Sequence, residues 1–265
     1  MNIIVPIKQV PESSNVKMDS ETGTILRTGV ESVINPLDLY ALETALRIRE
    51  EQGGSIHALT MGPLQARQVL KEAIAMGCDN GVLISDRAFG GADTWATSYT
   101  ISQGIKKIGA FDLIITGERA TDGDTAQVGP GIAAWLGIPV LSYVSKIEQI
   151  KGGRIVVERL IEEGYQKTEA ALPCLLTVLK EIAQPRLPTL KGKIVSMEAE
   201  IPVFDSLNMD VDPSRLGLKG SPTRVTRIES PRVSRNALVY PAGNEADMAK
   251  ALEALTSLLE SRGVI

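Results

Sequence analysis

The sequence predicts an α/β protein: a single doubly wound domain with a mostly parallel, mixed sheet, plus a C-terminal arm and helix. Three observations carry that expectation. Short β-rich runs alternate with amphipathic helical patterns through the first half, the order of βαβ units. From Val140 to Leu179 the pattern changes to alternating segments broken by "KGG" and "EEG", which suggests antiparallel strands added to the same sheet. From Ile201 to Pro241 apolar periodicity disappears, and Pro202, Pro213, Pro222, Pro231 and Pro241 punctuate a segment that cannot build its own core. The expected boundaries are 1–200 for the α/β domain, 201–242 for the arm and 243–265 for the helix.

Each element has its own justification. "NIIVPI" reads as the first strand. The first helix follows "NPLD", where Asn35 can cap and Pro36 suits the first helical position. Its stripe of Leu39, Leu42 and Leu46 stops at Gly53-Gly54. "SIHALTM" is the next strand, and a helix opens at Gly62-Pro63 and ends at Gly77. "GVLIS" follows, then a helix beginning near Asp93-Thr94 with Ile101, Ile105 and Ile108 on one face and Gly109 at its end. "FDLIIT" is the fourth strand, and a fourth helix lies between a polar loop and Gly137. The final segment carries its own start and stop: Asn244 as cap, Asp247 as negative charge in the first turn, Gly263 at the close. Met248, Leu252, Leu255 and Leu259 form one stripe. Such a helix is marginal alone, so the stripe is expected to pack on a surface, with another subunit favoured over its own domain.

Composition excludes several classes. A chain of 265 residues, 43% hydrophobic and 23% charged, can bury one large core. Net charge is −4 with scattered Lys and Arg, so nucleic acid is not expected as a partner. No basic segment precedes the short apolar run at the amino terminus, and Pro173 interrupts "AALPCLLTVL" well short of the roughly 18 residues a span needs. No membrane span and a cytoplasmic location are expected. Cys78, Cys174 and the single histidine, His57, cannot form a zinc constellation, and buried inert thiols are expected. His57 lies in an apolar run, so histidine-based acid-base chemistry is not expected; no catalytic residue or metal site is assigned.

In an open α/β sheet, ligands bind outside the carboxyl ends of the strands. Four strand-to-helix loops there have unusual composition: "PIKQVPESS", "TMGP", "DRAFGGADTWATS" and "GERATDGDTAQVGP". The fourth combines Gly117, Gly123 and Gly129 with Thr121, Thr125 and Gln127 before a helix, a composition suited to phosphate or pyrophosphate. Asp122 and Asp124 would repel an anion, so at least one is expected to cap the helix or accept a hydrogen bond from a sugar or base. The third loop places two glycines before an Asp-Thr helix start. It is loosely similar to the ATP-pyrophosphatase loop, with Phe89 where that loop has serine. Two such loops on one sheet edge favour an elongated ligand such as a dinucleotide. An ATP-using enzyme of the pyrophosphatase-like fold and a non-catalytic nucleotide sensor stay open at this point.

The segments "IVPIKQVP", "VINPLDLYALETALRIRE", "MGPLQA", "EAIAMGCD" and "GERATDGDTAQVGP" resemble, in order, the β subunit of electron-transfer flavoproteins over roughly residues 1–194. The resemblance implies an α/β subunit that pairs with an α subunit. It also implies an adenine nucleotide near Pro6, near Asn35, Pro36, Leu37 and Asp38, near Met61, and along the loop. The loop positions are Ala120, Asp122, Gly123, Asp124, Thr125, Ala126, Gln127, Val128, Gly129, Pro130 and Gly131, with Thr125 to Gly129 at the pyrophosphate. Many members hold AMP there as a structural nucleotide. The form "DGDTAQVGP" resembles the subgroup that holds a second FAD and bifurcates electrons. Gly90, Gly91, Asp93, Thr94 and Thr97 would extend the pocket toward the flavin ring. That subgroup oxidises NADH and passes electrons to ferredoxin or flavodoxin and, through the α-subunit flavin, to an acyl-CoA dehydrogenase-like or related flavin dehydrogenase. "QPRLPTLKGKI" resembles the family's recognition loop, with Leu190 at the docking position, and the terminal arm and helix resemble the part that wraps the α subunit.

Overall fold

A computed structural model describes residues 1–12, 17–18, 25–26, 32–224, 226, 238–241 and 243–265. Among these the chain runs β1 (Asn2–Pro6), β2 (Gln9–Pro11), β3 (Lys17–Met18), β4 (Ile25–Leu26), β5 (Ser32–Ile34), α1 (Asp38–Gln52), β6 (Ser55–Met61), α2 (Arg67–Met76), β7 (Asn80–Ile84), α3 (Thr94–Ile108), β8 (Leu113–Gly117) and α4 (Val128–Leu136). It continues through β9 (Val140–Lys151), β10 (Arg154–Ile161), β11 (Gly164–Ala171), β12 (Cys174–Val178), α5 (Leu190–Glu198), β13 (Val203–Phe204), α6 (Gly217–Gly220) and α7 (Glu245–Ser261). The chain divides into two units, Met1–Thr226 and Arg227–Ile265.

The first unit is built on a mixed sheet in the order β11-β10-β9-β12-β8-β1-β6-β7-β13. Every pairing from β9 to β13 is parallel, and β10 and β11 extend it as an antiparallel ribbon. Successive strand residues face opposite sides, so Ile3 and Ile4 enter different cores although both are fully buried. One core joins Ile3, Ile56 and Leu113 to Leu42 and Leu46 of α1 and Leu70 of α2. The other joins Ile4, Leu59 and Ile114 to Ile105 of α3 and Ile132 of α4. Burial on both faces is why these strands read as unbroken apolar runs. Each such side chain contributes about 1.5–3 kcal/mol relative to exposure.

The four βα units fall where the sequence places them, and the departures have physical reasons. β12 and β9 join the parallel part; only β10 and β11 are antiparallel, because the "KGG" and "EEG" turns make hairpins while Pro139 and Pro173 break the chain before strands that must return. α2 starts at Arg67 after one 3-10 turn, Leu64–Ala66. Asn35 does not cap α1: the helix begins at Asp38 and the Asn35 side chain reaches elsewhere. The Pro-containing stretch after Ile201 does not form a separate arm at once. Val203–Phe204 pairs with β7, Met209 and Leu216 are buried in the α3/α4 core, and the unit ends at Thr226. Part of "PIKQVPESS", at Ser13 and Ser14, and arm residue Pro231 lie outside the described residues.

Within the second unit α7 begins as read, with the Asn244 side chain accepting from the Asp247 N–H at 2.9 Å. No α7 residue is buried, and Met248, Leu252, Leu255 and Leu258 are about half exposed. No helix among the described residues is long and apolar enough to cross a membrane. Cys78 and Cys174 are buried and free. Burial, with the Asp79 charge adding to it, pushes the Cys78 thiol up to about 12, and burial pushes Cys174 up to about 11. Neither is a thiolate at neutral pH.

Candidate nucleotide site

The chain passes from β1 to β6 and β7 on one side, then returns to place β8 on the other side of β1. The topological switch point therefore lies between β1 and β8, where loops leave in opposite directions and open a crevice. α1 follows β1 onto one face, and α4 follows β8 onto the other.

Polar groups tie the loops together at that crevice. The fully buried Asn35 donates through Nδ2 to the Arg119 carbonyl at 2.9 Å and accepts from the Thr121 N–H at 3.1 Å. Asp38, also buried, accepts from the Lys8 N–H at 2.7 Å. Burial pushes the Asp38 carboxyl up to about 7, against the pull of hydrogen bonds from the Lys8 backbone, the Asn35 side chain and the Gly117 backbone. Asn35 and Asp38 thus clasp the β1 and β8 loops. Sequence reasoning placed both near the nucleotide; their own polar atoms are spent on the protein.

The two loop aspartates do not cap α4. Asp122 pairs with Lys8 at 2.6 Å and Asp124 with Arg119 at 2.9 Å, so each carboxylate brings a cation to the loop. That answers the repulsion the sequence raises. Lys8 and Arg119 were not singled out from the sequence, and nothing local in "PIKQV" or "GERAT" marks them; they acquire a role only when β1 and β8 become neighbours. Asp124 and Ala126 have left-handed backbones, φ 55° and 56°, and Gln127 returns to the right-handed region before α4 starts without a side-chain cap. The Asp124 N–H donates to the Ala120 carbonyl at 2.9 Å, while the left-handed Ala126 followed by the right-handed Gln127 has the geometry of an anion-binding nest; non-glycine residues held left-handed cost about 1–3 kcal/mol each. Residues 121–125 are exposed.

Two glycines of the predicted set serve packing. A Cβ on Gly129 would lie 2.8 Å from Thr177 Cγ2 and 2.9 Å from Thr116 Oγ1, and one on Gly131 would lie 2.7 Å from Ser98 Oγ. They let α4 sit against the sheet and α3. Gly123, by contrast, faces open space.

The third loop meets the fourth at one point, where Thr94 Oγ1 lies 3.3 Å from Thr125 Oγ1. Thr97 stands one turn further along α3, half buried. Gly90, Gly91 and Asp93 are engaged elsewhere. The Leu218 N–H donates to the Gly90 carbonyl, Leu218 packs on Gly91, and the Asp93 carboxylate caps α3 while accepting from the Thr223 N–H and hydroxyl. Phe89 is a core residue. Pro6 and Met61 end β1 and β6, Pro36 and Leu37 precede α1, and Pro130 lies in the first turn of α4. Leu190 is far from this crevice in sequence and opens α5, a helix where the sequence suggested a loop. The Thr189 cap was legible, but Pro188 and Gly192 masked it.

Among the described residues no group of His, Cys, Asp and Glu could hold a metal. Fold and crevice together define an open α/β protein with a loop-lined crevice at its topological switch point, the place where such sheets take ligands.

Residues 22–203 match the model of the electron transfer flavoprotein domain. The chain is 46% identical over 266 residues to the electron transfer flavoprotein subunit beta of Thermoanaerobacterium thermosaccharolyticum, covering 100% of both. It is 47% identical over 232 residues to the caffeyl-CoA reductase-Etf complex subunit CarD of Acetobacterium woodii, covering 87% of this chain and 88% of that one. Protein FixA of Azorhizobium caulinodans is 42% identical over 259 residues, 95% and 92% of the two chains. This chain belongs to the electron-transfer flavoprotein family, as a β-subunit member.

Proposed function

We propose that this chain is the β subunit of a heterodimeric electron-transfer flavoprotein that holds FAD in the β1/β8 crevice and takes electrons from NADH. Electrons are then bifurcated to ferredoxin or flavodoxin and, through an α-subunit flavin, to an acyl-CoA dehydrogenase-like partner. The observation that carries this reading is the nest at Ala126–Gln127, next to the point where Thr125 meets Thr94 of the third loop. A mononucleotide needs only the nest; a longer ligand would also use the third loop, which meets the fourth at Thr94 and Thr125. The Acetobacterium woodii relative, a subunit of a caffeyl-CoA reductase-Etf complex, agrees with an acyl-CoA-type partner. Bound there, FAD would supply the hydride and single-electron chemistry.

The protein's part is to hold and tune. The nest N–H groups and the α4 start receive the pyrophosphate, Lys8 and Arg119 offset its charge, and Thr94, Thr97 and Thr125 offer hydroxyls along the path toward the ring. Asn35 and Asp38 keep both loops in register. The second reading, AMP as a structural nucleotide, rests on the same nest and differs only in leaving the Thr94 side without a ligand contact. The buried Phe89 removes support for the ATP-using alternative, because a core phenyl ring occupies the position of that loop's serine.

Thr125→Tyr tests the pocket. The side chain of Thr125 is exposed and Thr94 stands beside it, so a phenol ring fills the path without entering the core. The purified complex of this variant is expected to lose the β-subunit nucleotide and keep the α-subunit flavin. Full nucleotide content by extraction and chromatography would remove the assignment.

A further inference from the structure

The segment read as the partner-docking element runs from Pro185 into α5. Leu187, Leu190 and Met197 are 86%, 78% and 75% exposed, and Leu190, Ile194 and Met197 share one face of the helix at i, i+4, i+7 spacing. Exposed leucines on an irregular Pro-rich stretch would ordinarily sample many arrangements. Here the residue just before Leu187 fixes them.

Arg186 reaches back across the molecule to α1. Its Nε donates to Glu43 Oε2 at 2.8 Å, its Nη2 to Glu43 Oε1 and Glu50 Oε2 at 3.1 Å each, and its backbone N–H to Glu43 Oε2 at 3.2 Å; Nη1 donates to Glu50 Oε1. Glu43 and Glu50 stand two helical turns apart on one face, and Glu43 is only 3% exposed. Arg47 adds a further bond to Glu43 at 2.8 Å. Burial favours protonation of Glu43, but hydrogen bonds from Arg186 and Arg47 outweigh it and hold the carboxyl below its ordinary range. Arg186 in turn is raised by Glu50 and Glu43. The clamp is therefore charged throughout neutral pH.

The other end of the element is fixed independently. Thr189 caps α5 by accepting the Gly192 N–H at 2.9 Å, and α5 lies so close to α2 that a Cβ on Gly192 would sit 2.1 Å from the Ala75 carbonyl oxygen. Pro185 and Pro188 restrict the backbone on either side of Leu187. A planar fork with two carboxylates fixes orientation as well as position.

Resting on the docking reading above, we propose that Arg186, Glu43 and Glu50 form a positioning clamp that sets affinity for the dehydrogenase partner without touching it. Presenting Leu187 and Leu190 already ordered removes the cost of ordering them on contact. Arg186 is thus a positioning residue, and the leucines are the contact.

The test uses the complex with its α subunit and a purified short-chain acyl-CoA dehydrogenase as electron-exchange partner. Arg186→Gln is expected to raise the apparent KM for the dehydrogenase about tenfold, with saturating rate and nucleotide content unchanged. Amide exchange over residues 187–197 should accelerate. Arg186→Lys, which keeps the charge and loses the fork, should fall between. Glu50→Gln, which spares buried Glu43, supplies the same comparison if Arg186→Gln does not fold, with an expected rise of two- to threefold. KM unchanged in these variants while Leu187→Ala/Leu190→Ala raises it would overturn the clamp and leave docking intact. KM unchanged in the leucine double variant as well would overturn the docking reading itself.

Discussion

Replacing Gly129 with valine should strip the complex of its β-subunit nucleotide and lower the stability of this chain by about 2–3 kcal/mol, the upper range for overpacking a tight contact. The reason is the absence of room. A Cβ would meet Thr177 Cγ2 at 2.8 Å and Thr116 Oγ1 at 2.9 Å, both on short branched side chains of central parallel strands that cannot swing aside. α4 must then lift from the sheet, and the nest at Ala126–Gln127 moves with it. Gly123→Ala is the matched comparison: its Cβ meets nothing within 4 Å and its backbone is not left-handed, so folding should be unaffected. Urea midpoints and nucleotide extraction on the two variants separate packing from binding. A Gly129→Val complex with full nucleotide and wild-type stability would mean that the start of α4 is not set by this contact.

The second large effect is a pH dependence centred on Asp38. Its carboxyl is raised by burial from the ordinary 3.8 to about 7. A raised pKa means the folded state binds the proton more tightly than the unfolded state. The associated stability is complete below about pH 4 and is lost as pH rises through 7. Between pH 5.5 and pH 8 the loss is about 2 kcal/mol, from 1.36 kcal/mol per unit over the part of the shift that lies in that window. Asp38→Asn keeps the shape and an acceptor for the Lys8 N–H but carries no charge. It should flatten the pH profile and be the more stable protein at pH 8. An undiminished slope in Asp38→Asn would place the titrating group elsewhere.

Much of this architecture could be read from residues alone because its signals are local. Gly53, Gly77, Gly109 and Gly137 end helices, and apolar runs such as "LIIT" can only be strands covered on both faces. What escaped depends on who becomes a neighbour. That β12 runs parallel between β8 and β9 is decided by the sheet, not by its five residues. The pairing of Lys8 with Asp122 spans 114 positions and exists only because β1 and β8 adjoin. Within the candidate site, the loop and its glycines stand out in the sequence, but the close packing of Gly129 and Gly131 and the Asn35 clasp, where a cap on α1 is expected, depend on partners distant along the chain. The helix at 190–198 was hidden because Gly192, a poor helix former, is kept for its contact with Ala75.

The central claim is that the crevice between β1 and β8 holds a flavin. The nucleotide content of this chain purified with its α subunit, by acid extraction and chromatography, addresses it most directly. Two FAD per heterodimer and no AMP is the predicted result; one FAD with one AMP would contradict it and make the nest at Ala126–Gln127 the seat of a structural cofactor.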